Sequence, residues 1–243
     1  MPPAAEVDQI DKYLPFLVEI RRRLLFLLSL FLVTTTLGFI YYERIIKFVL
    51  GIFKLKGVNI VFTSPFQFFS LAINSAILVG IIVVFPLIII QVLSFLKPAL
   101  TKKEYRLIVL LLPLCLILFV LGFAFGVYVM KYVLAIFYQK SVELNIGNLL
   151  DIELLLSKIV LTAILMGIMF QFPIVMTILM RLKIINFKFF ISQRPVAYLI
   201  GLIFVLLLPP TDLLSDALLF LPLVLLFEFT LILNKLVLKS HLL

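Results

Sequence analysis

Glu19 is a carboxylate placed just before three arginines, Arg21, Arg22 and Arg23, at the start of a long apolar run. On a helix beginning near Pro15, Arg22 and Arg23 follow Glu19 by three and four positions and share its face. The carboxylate can therefore form an ion pair within its own helix, worth about 0.2–0.5 kcal/mol. It can equally accept the guanidinium of an incoming ligand through two parallel hydrogen bonds. The spacing alone leaves both alternatives open.

A second carboxylate, Glu104, has similar surroundings in a short, proline-containing connection between two apolar runs. Four basic residues flank it: Lys97, Lys102, Lys103 and Arg106. Two carboxylates, each among basic residues and at the same membrane interface, could receive a cationic ligand. The neighbouring bases would hold such a site against anionic lipid.

The composition places the chain in a lipid bilayer. Its 243 residues are 65% hydrophobic and 14% charged, whereas soluble domains are about 45–50% apolar and about 25% charged. One cysteine, Cys115, and one histidine, His241, offer neither a metal site nor a nucleophile with its base. We therefore expect no enzyme activity and no cofactor. The net charge of +9 comes from basic residues that flank apolar runs, which favours lipid over nucleic acid as the partner.

The apolar runs predict an all-α polytopic membrane protein, a single integral membrane domain over residues 1–243 with six transmembrane helices. The predicted spans are about 24–42, 69–96, 107–137, 152–180, 195–208 and 217–233. The last two are short, and the fifth, at 14 residues, would reach only about 21 Å across a hydrocarbon core of about 30 Å. Pro86, Pro113 and Pro173 predict bends within the long spans.

Two further patterns concern packing at the membrane. Residues 43–67 are predicted to include an interfacial amphipathic helix around Ile45 to Phe53. Gly122 and Gly126 form a small-residue face that predicts close packing within the chain. Fourteen lysines and arginines fall on the side of the N-terminus and seven on the other, so we expect both termini in the cytoplasm.

The chain resembles the TatC family, the multispanning receptor subunit of the twin-arginine protein translocase. The segments that carry the resemblance are FLVEIRRRL at 16–24, SPFQF at 64–68, QVLSF at 91–95 with KPAL at 97–100 and Glu104, GIMFQFP at 167–173, Arg194-Pro195, PPTD at 209–212 and LPLVLLFE at 221–228. They follow the family's order and spacing over nearly the whole chain.

The resemblance implies that Glu19 and Glu104 form a cytoplasmic patch that binds the paired arginines of signal peptides on folded cargo. Arg21 matches a motif arginine and is expected to hold Glu19 in place, while Phe95 and Pro98 shape the adjacent loop. The resemblance also implies single-span TatA- or TatB-type partners near the last two spans, an oligomeric complex in the cytoplasmic membrane, and a proton-motive force that drives export.

Four residues bear on how far the family pattern extends to this chain. Phe16 replaces the motif histidine, and Gln171 replaces an intramembrane glutamate. Gln171 either bridges two helices of its own chain or contacts a partner or signal helix. Asp212 is expected to cap a helix or contact a loop. Glu228 is expected near the cytoplasmic interface in a structural pair.

Two other classes of membrane protein compete with this interpretation. A small-solute transporter or channel would carry polar residues near the middle of several spans, or inverted repeats. An intramembrane enzyme would need a catalytic pair such as two aspartates at depth. Spans one, five and six carry almost no polar residues, which disfavours a transporter, and Asp151, Asp212 and Asp216 all fall at predicted span ends, which disfavours an enzyme.

Overall fold

The computed structural model describes residues 4–52, 59–61, 64, 66–95, 102–144, 149–182, 184–209 and 212–240. These residues are almost entirely helical. In chain order the elements are α1 (Ala4–Ile40), α2 (Tyr42–Ile52), β1 (Asn59–Val61), α3 (Gln67–Phe95), α4 (Lys102–Glu143), β2 (Leu149–Asp151), α5 (Ile152–Met169), α6 (Phe172–Arg181), α7 (Phe187–Ser192), α8 (Arg194–Leu206) and α9 (Leu213–Ser240).

Five helical segments of the described chain are long and apolar enough to cross a membrane. They are Leu17–Ile40, Gln67–Val92, Leu111–Glu143, Ile152–Arg181 and Leu213–Lys235. The predicted span at 195–208 corresponds to α8, which has 13 residues and reaches about 20 Å at helical rise. The membrane-protein class is confirmed, but the sixth crossing is not, because α8 is shorter than the hydrocarbon core.

The first helix begins at Ala4, so the start near Pro15 predicted from the sequence is wrong. Pro15 does not begin this helix, which continues over the arginine cluster into the apolar run. The predicted amphipathic helix is confirmed as α2. Its Ile46, Val49 and Leu50 pack against a buried cluster formed by α3 and α5, while its basic side chains stay exposed.

Two helix pairs dominate the packing: α1 lies chiefly against α3, and α4 chiefly against α5. The small-residue face predicted on α4 is where the second pair meets. A Cβ added to Gly126 would lie 2.7 Å from Ala163 Cα, and one added to Gly122 would lie 2.7 Å from the carbonyl oxygen of Met166. These contacts fall below ordinary van der Waals distance, so both glycines are required for the close approach.

The span predicted at 152–180 is two helices. α5 ends at Met169, α6 begins at Phe172, and Pro173 occupies the first turn of α6. Pro173 therefore coincides with a break, because its ring cannot continue the α5 hydrogen-bond ladder. Pro86 and Pro113 instead lie inside continuous helices.

A short parallel ladder joins the two segments that follow α2 and α4. β1 pairs with β2, with Asn59 opposite Leu149 and Val61 opposite Asp151. The sequence analysis does not predict these strands. The Gln67 side chain donates a hydrogen bond of 2.6 Å to Asp151, and Asp151 also caps α5 through the backbone amides of Glu153 and Leu154.

Candidate functional site

Glu19 and Arg23 form an ion pair one turn apart on α1. The Oε1 atom of Glu19 accepts hydrogen bonds from Arg23 Nη2 at 2.6 Å and from Arg23 Nε at 3.1 Å. Both donors of one guanidinium edge therefore converge on a single carboxylate oxygen. The i, i+4 spacing predicted this contact, and it selects Arg23 rather than Arg22.

Arg23 also connects α1 to the end of α3. Its Nη1 atom donates to the backbone carbonyl of Gln91 at 2.9 Å and to Gln91 Oε1 at 2.8 Å. The guanidinium plane is thus fixed on two sides by groups from different helices. Arg21 is exposed on α1, and the expectation that it holds Glu19 in place stays a prediction. The contact that the structure gives Glu19 is with Arg23, which lies about one helical turn further along α1.

A pocket of about 420 Å³ opens beside this pair, and its lining residues are Glu19, Arg22, Arg23, Phe26 and Gln91. The side chain of Glu19 is 39% exposed and that of Arg23 is 23% exposed. Among the residues that the structure describes, Oε2 of Glu19 has no hydrogen-bond or ion-pair partner. Glu19 therefore contributes to the lining of this pocket a carboxylate that Arg23 orients through one of its two oxygens.

The remaining predicted residues of this site are only partly described. Phe95 is half-buried at the end of α3, one turn beyond Gln91. Pro98 lies outside the described residues. Glu104 falls in the first turn of α4, and its side chain lies outside the described part of the chain. The meeting of Glu19 with Glu104 therefore stays a prediction.

Gln171 lies in the break between α5 and α6 and is 4% exposed. Its Nε2 atom donates to the carbonyl oxygen of Cys115 at 3.1 Å and to that of Gly167 at 3.4 Å, and its Oε1 atom accepts from Cys115 Sγ at 2.9 Å. The amide is thus satisfied between α4 and α5. Of the two alternatives for Gln171, this geometry favours the bridge within its own chain.

The last two predicted polar residues both make structural contacts. Asp212 caps α9, accepting from the backbone amide of Ser215 at 3.0 Å and from its hydroxyl at 2.6 Å. Glu228 accepts from Arg194 Nη2 at 2.9 Å and from the Tyr198 hydroxyl. This pair joins the first turns of α8 to α9.

Comparisons with known proteins agree on one family. The family model described as "Sec-independent protein translocase protein (TatC)" matches residues 15–222. The chain belongs to the TatC family. It is 27% identical to "Sec-independent protein translocase protein TatCy" of Bacillus subtilis (strain 168), covering 95% of this chain and 91% of that protein. It is also 27% identical to a TatC protein of Listeria innocua over 90% of this chain and 89% of that protein.

Solved structures in the TatC family share the fold. The chain superposes on a crystal structure of the "Twin Arginine Translocase Receptor- TatC" with a TM-score of 0.76 at 26% identity, covering 90% of this chain and 98% of the other. A second crystal structure, in DDM, gives the same TM-score at 28% identity. The protein is therefore an integral membrane protein of a protein-translocase family.

Sequence reasoning on this TatC-family chain allowed for the Glu19–Arg23 pair but missed two contacts between distant positions, Arg23–Gln91 and Tyr198–Glu228. The role of Arg23 was available from the i, i+4 spacing, which the motif itself contains. Gln91 was visible only as part of a motif, because its partner lies 68 positions earlier and no local pattern predicts that contact. The Tyr198 hydroxyl beside Glu228 was missed for the same reason.

Proposed function

We propose that this TatC-family protein is the receptor subunit that binds the paired arginines of signal peptides at the pocket beside Glu19. The proposal rests on one observation: the two oxygens of the Glu19 carboxylate have different surroundings. One oxygen is held by Arg23, the other has no partner among the described residues, and Glu19 lines a pocket of about 420 Å³.

The chemistry of this pocket suits a guanidinium. A carboxylate whose plane is already oriented loses little freedom when a second guanidinium binds its open edge, and such charge-assisted hydrogen bonds are stronger than neutral ones. A planar guanidinium can present two parallel donors, whereas an ammonium acts as a point charge. The pocket is therefore expected to prefer arginine to lysine.

Glu104 supplies the second carboxylate in this proposal. Gln91 and Phe95 end α3, and Glu104 begins the next helix, α4. A connection this short in the sequence would bring position 104 to the end of the bundle that carries Glu19. If each carboxylate binds one arginine, the presence of two carboxylates would explain why the signal peptide carries two arginines.

Binding of a synthetic signal peptide tests this proposal. Purified protein in nanodiscs is titrated with a fluorescent peptide carrying Arg-Arg and with its Lys-Lys counterpart, and anisotropy gives both affinities. We expect the Arg-Arg peptide to bind more tightly, and Glu19→Gln to weaken its binding about tenfold.

Glu43→Gln is the matched control, since Glu43 also pairs with a base four positions later, Lys47, at 3.8 Å, but on α2. It should leave binding unchanged. Equal affinities for the two peptides, or equal losses in the two variants, would contradict the proposed receptor site.

The wider role follows from the same proposal. Docking of folded cargo at the cytoplasmic face would precede recruitment of single-span TatA- or TatB-type subunits near α8 and α9, in an oligomeric complex powered by the proton-motive force. Both termini would lie in the cytoplasm and the protein in the cytoplasmic membrane, consistent with the distribution of lysines and arginines. No enzymatic step is needed for this function.

A further inference from the structure

The aromatic member of the lining of the pocket beside Glu19 is Phe26. Phe26 follows Glu19 by seven positions on α1, which is about two helical turns, so the two residues lie on the same helix face. Side chains on a helix lean toward its N-terminus, which for Phe26 is the direction of Glu19. Phe26 is 51% exposed, so its ring is accessible to a ligand of the pocket.

The Phe26 ring is open to a further contact. Among the residues that the structure describes, no other aromatic ring stacks on it and no cationic group lies over it. The chain makes a cation–π contact just beyond the opposite end of α1, where the Arg44 guanidinium carbon lies 5.5 Å from the centre of the Tyr41 ring. The Phe26 ring can make the same kind of contact with the guanidinium of a ligand.

The charges in the pocket lining do not by themselves attract a cation. They are the carboxylate of Glu19 and the guanidiniums of Arg22 and Arg23, which leaves one positive charge in excess. A ligand arginine therefore needs a favourable contact that does not depend on the net charge of the lining. The negative face of an aromatic ring supplies one, because it attracts a cation within about 6 Å of the ring centre.

Glu19 alone separates arginine from lysine only in part. Its Oε1 atom already accepts two hydrogen bonds from Arg23, so Oε2 is the oxygen left for a ligand. A single oxygen can accept from an ammonium as well as from a guanidinium. A ring separates the two cations better, because a guanidinium is planar, more weakly hydrated and stacks on aromatic faces, whereas an ammonium is compact and strongly hydrated.

We propose that Phe26 sets the preference of this pocket for arginine over lysine. The guanidinium of the signal peptide donates from its edge to Glu19 and lies with its face on the Phe26 ring. This role of Phe26 rests on the proposed receptor function and adds a specificity-determining residue to its site. Phe26 lies outside the segment 16–24 that carries the resemblance to the TatC family, so the family pattern assigns it no role.

Peptide binding to variants of Phe26 tests the proposal. Purified protein in phosphatidylcholine nanodiscs is titrated with the fluorescent Arg-Arg peptide and with its Lys-Lys counterpart, and anisotropy gives both affinities. Phe26→Leu keeps an apolar side chain but removes the ring, and we expect it to weaken binding of the Arg-Arg peptide about fivefold. Binding of the Lys-Lys peptide should fall by less than about twofold, so the ratio of the two affinities shrinks. Phe26→Tyr keeps the ring and should keep the ratio.

Two further variants separate stacking from other effects. Phe39→Leu makes the same change at a position that is 46% exposed near the opposite end of α1, and it should leave both affinities unchanged. Arg22→Gln removes the excess positive charge of the lining and should tighten binding of both peptides by a similar factor. The ratio of the two affinities in Arg22→Gln should therefore stay that of the unaltered chain.

A tryptophan introduced in place of Phe26 reports contact directly, because the chain contains no tryptophan of its own. Phe26→Trp keeps an aromatic face, and its fluorescence should change when an unlabelled Arg-Arg peptide without tryptophan binds. Phe39→Trp is the matched control and should show no change. Unchanged emission of Phe26→Trp at saturating Arg-Arg peptide would overturn the proposed contact.

Failure of this role and failure of the receptor function give different results. If Glu19→Gln leaves binding of both peptides unchanged, the receptor site is contradicted and the role of Phe26 with it. If Glu19→Gln weakens binding while Phe26→Leu leaves the ratio of the two affinities unchanged, the role of Phe26 alone is overturned. Phe26→Tyr and Phe26→Trp are conservative changes, so the proposal is tested even if Phe26→Leu fails to fold.

Discussion

Arg23 and Gln91 are joined by two hydrogen bonds although they lie 68 positions apart. One bond goes to the side chain of Gln91 and the other to its backbone carbonyl. Through the same guanidinium, Gln91 is connected to Glu19. The orientation of the carboxylate on α1 therefore depends on a residue in the last two turns of α3, which makes Gln91 a positioning residue in the proposed receptor site.

Gln91→Leu is expected to weaken binding of the Arg-Arg peptide about fivefold, because one charge-assisted hydrogen bond to Arg23 is lost while the backbone carbonyl remains. Gln91→Glu keeps an acceptor and should bind at least as well as the unaltered chain. Anisotropy titrations in nanodiscs measure both. The neighbouring variant Val92→Ala, at an exposed position, is the control, and a loss of similar size there would contradict a positioning role for Gln91.

Arg23→Lys is expected to reduce peptide affinity more than Arg21→Lys does. An ammonium cannot span Glu19 and Gln91 as the planar guanidinium does, whereas Arg21 is exposed and its replacement keeps the charge. The two variants carry the same net charge, so a difference between them reports geometry. If Arg21→Lys is the more damaging change, the assignment of Arg23 as the residue that orients Glu19 is wrong.

Gln171→Leu is expected to lower the free energy of unfolding by about 2 kcal/mol, since the buried carbonyl oxygens of Cys115 and Gly167 lose their donor. Gln171→Glu should cost more, because a carboxylate lacks the N–H donor and also places a charge at a buried position. Cys115→Ala should cost less than either, since a thiol is a weak donor. Thermal unfolding in detergent ranks the three variants, and unchanged stability of Gln171→Glu would argue against the packing role.

Gly126→Ala is expected to destabilise the protein by about 1–3 kcal/mol, because the new methyl group would overlap the α5 backbone at Ala163. Gly201→Ala offers the matched comparison, since its methyl group meets only the Phe220 ring at 3.5 Å. That variant should be neutral or stabilising by up to about 1 kcal/mol, from helix propensity. Similar losses in both variants would show that the α4–α5 contact is less tight than described.

Local patterns in the sequence predicted the parts of the fold that local physics determines. Apolar runs long enough for a bilayer predicted the membrane class, and the spacing of Ile45, Ile46, Val49 and Ile52 predicted α2. The strands β1 and β2 were not predicted, because segments of three residues are too short to show the alternation of apolar and polar side chains that indicates a strand. The extension of α1 to Ala4 was missed because polar residues beyond the membrane carry no hydropathy signal.

The candidate site likewise combines contacts that the sequence predicts with contacts that depend on helix packing. The Glu19–Arg23 pair follows from a spacing of four on one helix, but the contact with Gln91 requires the packing of α1 on α3. Likewise, Gln171 was recognisable as an unusual polar residue, yet its partners depend on how closely Gly122 and Gly126 let α4 approach α5.

The packing of the bundle as two helix pairs, α1–α3 and α4–α5, has a mechanical consequence for the proposed binding of a signal peptide. Glu19, Arg23 and Gln91 all belong to the α1–α3 pair, so tilting that pair as a unit leaves their mutual distances intact. Position 104 instead starts α4, in the other pair. A rotation of one pair against the other would therefore change the distance between positions 19 and 104 without breaking the contacts that orient Glu19.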